Sequence, residues 1–141
     1  QAPVEYGRSE IIRKGKKIAV LGVGSMIPSC MEICKGLKDD GYDPTFVNAR
    51  FVKPLDVDLL DELAKDHNLF VTVEENVKSG GYGEHVSAYM EACHPEVRVL
   101  SAAVWDRFVP QGNVESLRSR IGLGVEDIRQ AIEDSEELRE Q

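Results

Sequence analysis

Several absences bound what this chain can be. No apolar run in its 141 residues approaches the ~18 residues of a membrane-spanning helix, and no secretory signal pattern opens it. A membrane partner is therefore not expected, and the expected compartment is the cytoplasm. Cysteine is scarce: three residues, an odd number, fit a reducing compartment better than a disulfide framework. Cys30 and Cys34 stand four apart on a predicted helix and Cys93 precedes His94, but the close Cys-x2-Cys spacing of zinc sites is missing. They read as ordinary thiols. A clustered basic face is lacking too. With 17 Lys and Arg against 25 Asp and Glu the net charge is −8, which excludes nucleic acid as the natural partner. Much of that charge lies in residues 125–141, which hold seven acids and two arginines. No nucleophile elbow, metal box or acid pair appears, and none of the three histidines has a triad partner at a suggestive spacing. No catalytic, cofactor-binding or metal-ligating residue is assigned.

What is present is an ordinary globular composition, 42% hydrophobic and 30% charged, in a length suited to one domain over residues 1–141. The chain opens Gln-Ala-Pro rather than with Met, and reads as an excised piece. Its centre is the stretch from Val47 to Tyr82. There the apolar runs Thr45-Phe46-Val47 and Phe70-Val71-Thr72-Val73 flank a helix of about ten residues, a βαβ unit with parallel strands. A short strand at Ser9–Arg13 and a buried one at Ile18–Leu21 come earlier. A helix runs from about Ser25 to Asp40, with Ser25 as cap, Pro28 in its first turn and Ile27, Cys30, Met31, Cys34 and Leu37 on one face. Asp56 caps a helix over 57–66 with Leu59, Leu60 and Leu63 inward. A helix from about Gly83 to Cys93 buries Val86, Tyr89 and Met90. A strand over 97–101 and helices near 113–120 and 125–138 complete the chain, the last turning Val125, Ile128, Ile132 and Leu138 inward.

In parallel sheets, ligands and partners meet the protein beyond the carboxyl ends of the strands. That rule selects Gly24 and Ser25 after one strand, Arg50 and Lys53 after the next, and Glu74 and Glu75 after a third. Gly22-x-Gly24-Ser25 sits where phosphate loops sit, but the third glycine of a dinucleotide fingerprint is replaced by Ile27 and no P-loop lysine follows. A tight strand-to-helix turn is the plainer reading. Arg50 and Lys53 could hold a phosphate or carboxylate; the plainer reading pairs Arg50 with Glu74 or Glu75, one strand over. Glu74 and Glu75 point to opposite faces of a strand and cannot act together as acid and base. His67 ends a helix, where the dipole favours an imidazolium.

The joined pattern of RFVKPLD at 50–56, VTVEEN at 71–76 and GGYG at 80–83 resembles the C-terminal domain of 1-deoxy-D-xylulose-5-phosphate synthases, thiamine diphosphate-dependent relatives of transketolase. RKGKKIAVLGVGSM at 13–26 and FVPQG at 108–112 agree with it. The resemblance implies a three-layer α/β/α domain with a mixed five-stranded sheet of order 1-3-2-4-5, strand 1 antiparallel. Read locally, Lys14-Gly15-Lys16-Lys17 would instead fold strands 1 and 2 into a hairpin; the family order is the one adopted. It implies further that thiamine diphosphate and Mg2+ belong to two preceding domains, so that this domain binds neither and carries no catalytic residue. Its partners would be those domains and a dimer mate, in a homodimeric transferase feeding isoprenoid, thiamine and pyridoxal precursors. The alternative is a regulatory module for a phosphate or prenyl diphosphate at Gly24, Ser25, Arg50 and Lys53.

One contact is expected in detail. Arg50 and one of Glu74 or Glu75 follow strands about two spacings apart, ~10 Å between backbones. A bidentate pair across Gly22, roofing the strand between them, should be partly buried and costly to break.

Overall fold

The computed structural model describes residues 8–50, 54–75, 81–104 and 124–140. The chain runs β1 (Glu10–Arg13), β2 (Lys17–Gly22), a 3-10 turn (Gly24–Met26), α1 (Ile27–Asp39), β3 (Thr45–Asn48), α2 (Val57–Ala64), β4 (His67–Glu75), α3 (Tyr82–Cys93), β5 (Arg98–Val104) and α4 (Val125–Glu140). The five strands form one sheet of order β1-β3-β2-β4-β5, with β1 antiparallel to β3 and the other pairings parallel. This is the order the family resemblance implies.

Alternation along the central strands sorts the core into two layers. Ile18, Val20, Leu69, Val71 and Val73 meet Cys30, Ile33, Cys34 and Leu37 of α1 and Ile128 and Ile132 of α4. Ala19, Leu21, Val47 and Phe70 meet Leu60 and Leu63 of α2 and Tyr82, Val86 and Met90 of α3. With α1 and α4 on one face and α2 and α3 on the other, the domain is a three-layer α/β/α sandwich.

The helix expectations need three corrections. Met31 lies 58% exposed, and Ile33 takes its place in the core. Ser25 does not cap α1: the residue before the helix is Met26, and no side chain accepts a hydrogen bond there. The 3-10 turn itself closes this end, with Met26 N–H donating to Val23 O at 3.0 Å. Leu59 and Tyr89 are only partly buried against their layer. The helix near 113–120, the 108–112 loop, Lys53 and the side chain of Leu138 lie outside the described residues. Asp56 does cap α2, accepting from Leu59 N–H at 3.2 Å; it also holds Ser9 N–H at 2.7 Å.

The hairpin signal has another cause. Gly15 lies against the chain entering β3, so close that a Cβ there would stand 2.6 Å from Pro44 O. Gly15 N–H donates to Thr45 Oγ1 at 2.8 Å and Lys16 N–H to Asp43 O at 2.8 Å. The glycine permits a close crossing: the link from β1 to β2 passes the start of β3, and β1 pairs with β3 on its far side. Thr45 Oγ1 also sits 2.7 Å from Nε2 of His67, whose side chain is fully buried. His67 Nδ1 lies 2.8 Å from Leu63 O at the end of α2 and 2.6 Å from Asp66 Oδ1. With hydrogen on Nδ1, the Thr45 hydroxyl donates to Nε2 and every partner in this buried network is satisfied.

The acidic tail is tied down by two arginines. Arg98 of β5 pairs with the buried Glu136 at 3.1 Å and donates to Ser135 O at 3.2 Å. Arg129 pairs at 2.6 Å with Asp40, past the end of α1, and at 2.6 Å with Glu133 and Glu126 of its own helix.

Thr45→Val keeps the shape of this fully buried residue but strands Gly15 N–H and His67 Nε2. It should lower unfolding free energy by about 2 kcal/mol in urea titration; an unchanged midpoint would show that the network is not stabilising.

Candidate functional site

The three parallel strands β3, β2 and β4 end together, since Gly22 is in register with Asn48 on one side and Val73 on the other. Gly24 and Ser25, Arg50, and Glu74 and Glu75 therefore lie along one sheet edge, as the sequence suggested. Their contacts differ from expectation.

Arg50 pairs with Glu10, Nη2 to Oε1 at 2.6 Å, and not with Glu74 or Glu75. The reason is distance along the sheet. In the antiparallel register Glu10 stands opposite Asn48, two residues before Arg50 and a single strand spacing away. Glu74 is farther off, and its carboxylate is already occupied: Oε1 accepts from Tyr82 N–H at 2.9 Å and Oε2 from Gly83 N–H at 2.8 Å. These are the orphan donors of the first turn of α3, so a side chain fills the anion position of that helix end. The fit is close, because a Cβ on Gly83 would meet Glu74 Oε2 at 2.8 Å, Ser101 Oγ at 2.9 Å and Thr72 Oγ1 at 2.6 Å. Nor does Gly22 leave room for a salt bridge above β2; the space above its Cα is taken by Cys30 Sγ of α1.

At the Gly24–Ser25 turn Gly24 has φ +51° and both residues are exposed. Val23 N–H donates to Val73 O at 3.1 Å, and Ala49 N–H to Gly22 O at 2.8 Å, so backbone bonds carry the sheet edge up to this turn. Among the described residues, no three His, Cys, Asp or Glu side chains converge in a geometry that could hold a metal ion.

A second polar cluster, not singled out from the sequence, joins α2 to the end of α3. Asp61 Oδ1 lies 2.7 Å from Tyr89 Oη and 2.7 Å from His94 Nε2, and Glu96 Oε2 stands 3.8 Å from His94 Nδ1. The Tyr89 hydroxyl, then the imidazole, hold the Asp61 carboxyl below the usual carboxylate range, and that bond raises the phenol. This clamps two helices and contains no activated nucleophile. Only the packing of α2 beside α3 brings the residues together, so no sequence spacing could have revealed them. The thiols are no better placed: burial pushes Cys30 and Cys34 up to about 12, and Cys93 alone is exposed.

Residues 7–128 match the family described as "Transketolase, C-terminal domain". The chain belongs to this family. It is 40% identical over 129 residues to 1-deoxy-D-xylulose-5-phosphate synthase of Dictyoglomus thermophilum, covering 92% of this chain and 21% of that protein. The synthase of Lachnoclostridium phytofermentans is also 40% identical, over 87% of this chain and 20% of its own length. The chain thus spans about a fifth of the curated relatives it matches. Among solved structures, a split gene transketolase described as an inactive beta4 tetramer superimposes with a TM-score of 0.76 at 28% identity, over 94% of this chain and 43% of that one.

Two outcomes check this geometry. Glu74→Ala should cost ~1–2 kcal/mol, because it uncaps α3. Arg50→Met, which breaks a pair whose side chains are 30% and 48% exposed, should cost no more than ~1 kcal/mol. Thermal melts of the two variants rank them, and the reverse order would contradict the contacts above. A thiol reagent should label one cysteine in the native protein and all three in denaturant; labelling of Cys30 or Cys34 at native rates would overturn their burial.

Proposed function

We propose that this chain is the C-terminal domain of a thiamine diphosphate-dependent 1-deoxy-D-xylulose-5-phosphate synthase, a cytoplasmic homodimer. This transketolase-type transferase decarboxylates pyruvate and joins the two-carbon unit to glyceraldehyde 3-phosphate. The observation that carries the reading is 40% identity across 92% of the chain to a synthase of which it would form 21%. The domain's own part is structural. It docks on the domains that precede it and on the dimer mate.

The edge chemistry supports that division. The described residues do not fit thiamine diphosphate with Mg2+: the carboxylate of Glu74 is spent on backbone N–H groups, Asp56 is spent on Leu59 and Ser9, and no ligand cluster converges. Carbanion chemistry needs the cofactor's electron sink, which polar side chains alone do not supply. The regulatory alternative, a phosphate or prenyl diphosphate at the Gly24–Ser25 turn, has less support. The charge of Arg50 is turned to Glu10, and α3, the other helix that begins at this edge, has its N-terminus filled by Glu74.

A chimaera tests the reading. Residues 1–141 replace the C-terminal fifth of the Dictyoglomus thermophilum synthase, and product formation from the two substrates is assayed with thiamine diphosphate and Mg2+. Activity well above that of the truncated synthase is expected, and the isolated chain should give no heat with the cofactor in calorimetric titration. An inactive, folded chimaera, or micromolar cofactor binding by the isolated chain, would overturn it.

A further inference from the structure

Among the described residues three large apolar side chains are exposed, and two of them, Ile11 at 41% and Ile12 at 47%, are adjacent on β1. That strand forms one margin of the sheet, paired with β3 on its inner side. Neither isoleucine belongs to either core layer, so β1 reaches past the helices that cover the rest of the sheet. Open edges with apolar side chains attract other chains, and soluble proteins cover or blunt them.

Because β1 runs antiparallel to β3, its first residue stands at the same sheet edge where Arg50 and Glu74 lie. Two contacts fix the chain's entry there: Ser9 N–H on Asp56 Oδ2 at 2.7 Å, and Glu10 on Arg50 at 2.6 Å. Whatever precedes Gln1 is thus tethered to this corner, ten residues from Ile11, at most ~35 Å away even if fully extended. Such a tether raises the local concentration to the millimolar range, so a small apolar contact suffices to hold the partner.

We propose that the outer edge of β1 is the seat of the immediately preceding domain, with Ile11 and Ile12 as its apolar anchors and the Glu10–Arg50 pair at its rim. This rests on the reading that the chain is the C-terminal fifth of a synthase. It adds which surface docks and what chemistry the partner presents: an apolar patch that meets an edge strand. The region beside Arg50 then belongs to a domain contact and not to a ligand site.

Amide hydrogen exchange of the active chimaera and of the isolated chain tests it. Residues 10–13 should exchange at least ~10-fold more slowly in the chimaera. The double substitution Ile11→Ser, Ile12→Ser should abolish that protection while leaving the melting of the isolated chain unchanged. Equal exchange in an active chimaera overturns this inference and leaves the synthase reading standing; an inactive chimaera overturns both. Protection already present in the isolated chain, rising with concentration, would assign the edge to a second copy and overturn it as well.

Discussion

The constraint that shapes the domain is that β2 is covered from every side. It pairs with β3 and β4, and residues 18–22 alternate between two helical layers with no solvent face. Residues 18–22 of β2 carry no polar side chain, in keeping with the cost of an unpartnered buried group. Polar chemistry is displaced to the two ends of the sheet. At the amino end it becomes the Thr45–His67–Leu63 network, which Gly15 and Asp66 also join. At the carboxyl end it becomes the turn at Gly24–Ser25 and the capped start of α3.

How much of this was legible follows from the range of each signal. The βαβ unit could be read because alternation and caps act within a few residues: Asp56 is three residues from the amide it accepts. The position of β1 could not be derived locally, since Gly15 marks a close crossing under Asp43 and Pro44 and nothing in its neighbours distinguishes that from a hairpin. The resemblance supplied the order because it carries information about the whole sheet. The inward stripe of α1 failed at one position, where Ile33 and not Met31 faces the core; a stripe fixes the face of a helix only to within about one residue. The described candidates Gly24, Ser25, Arg50, Glu74 and Glu75 lie along one edge, and the partner expected for Arg50 is not the one it has. Arg50 found Glu10, forty residues back in sequence, because the antiparallel pairing of β1 puts it one strand away.

The fate of Glu74 decides how that edge should be understood. A helix beginning beyond a parallel strand offers free N–H groups and a positive dipole end, and in many α/β proteins a ligand's phosphate takes them. Here the strand supplies its own anion, held by Tyr82 and Gly83 with oxygens of Thr72, Glu74 and Ser101 packed against the glycine. An outside anion would have to displace a tethered carboxylate and move an arginine off Glu10. Both residues serve geometry: one fixes where α3 starts, the other where β1 enters.

Docked as proposed, a domain arranged this way matters to the reaction through the position it gives its neighbours. Catalysis depends on reacting groups held within fractions of an ångström, and a rigid body docked at the correct angle supplies such restraint from outside the site. Rigidity here comes from long-range ties. Asp56 joins the entry segment to α2, Asp61 joins α2 to the end of α3, and Arg98 and Arg129 bind the tail helix to β5 and the end of α1. Each joins elements distant in sequence, and the Arg98–Glu136 pair ties the α4 layer to the sheet itself. Among the described residues, the β1 margin carries two of the three exposed large apolar side chains. A neighbouring domain that seats there meets a surface whose orientation is set by the whole sandwich.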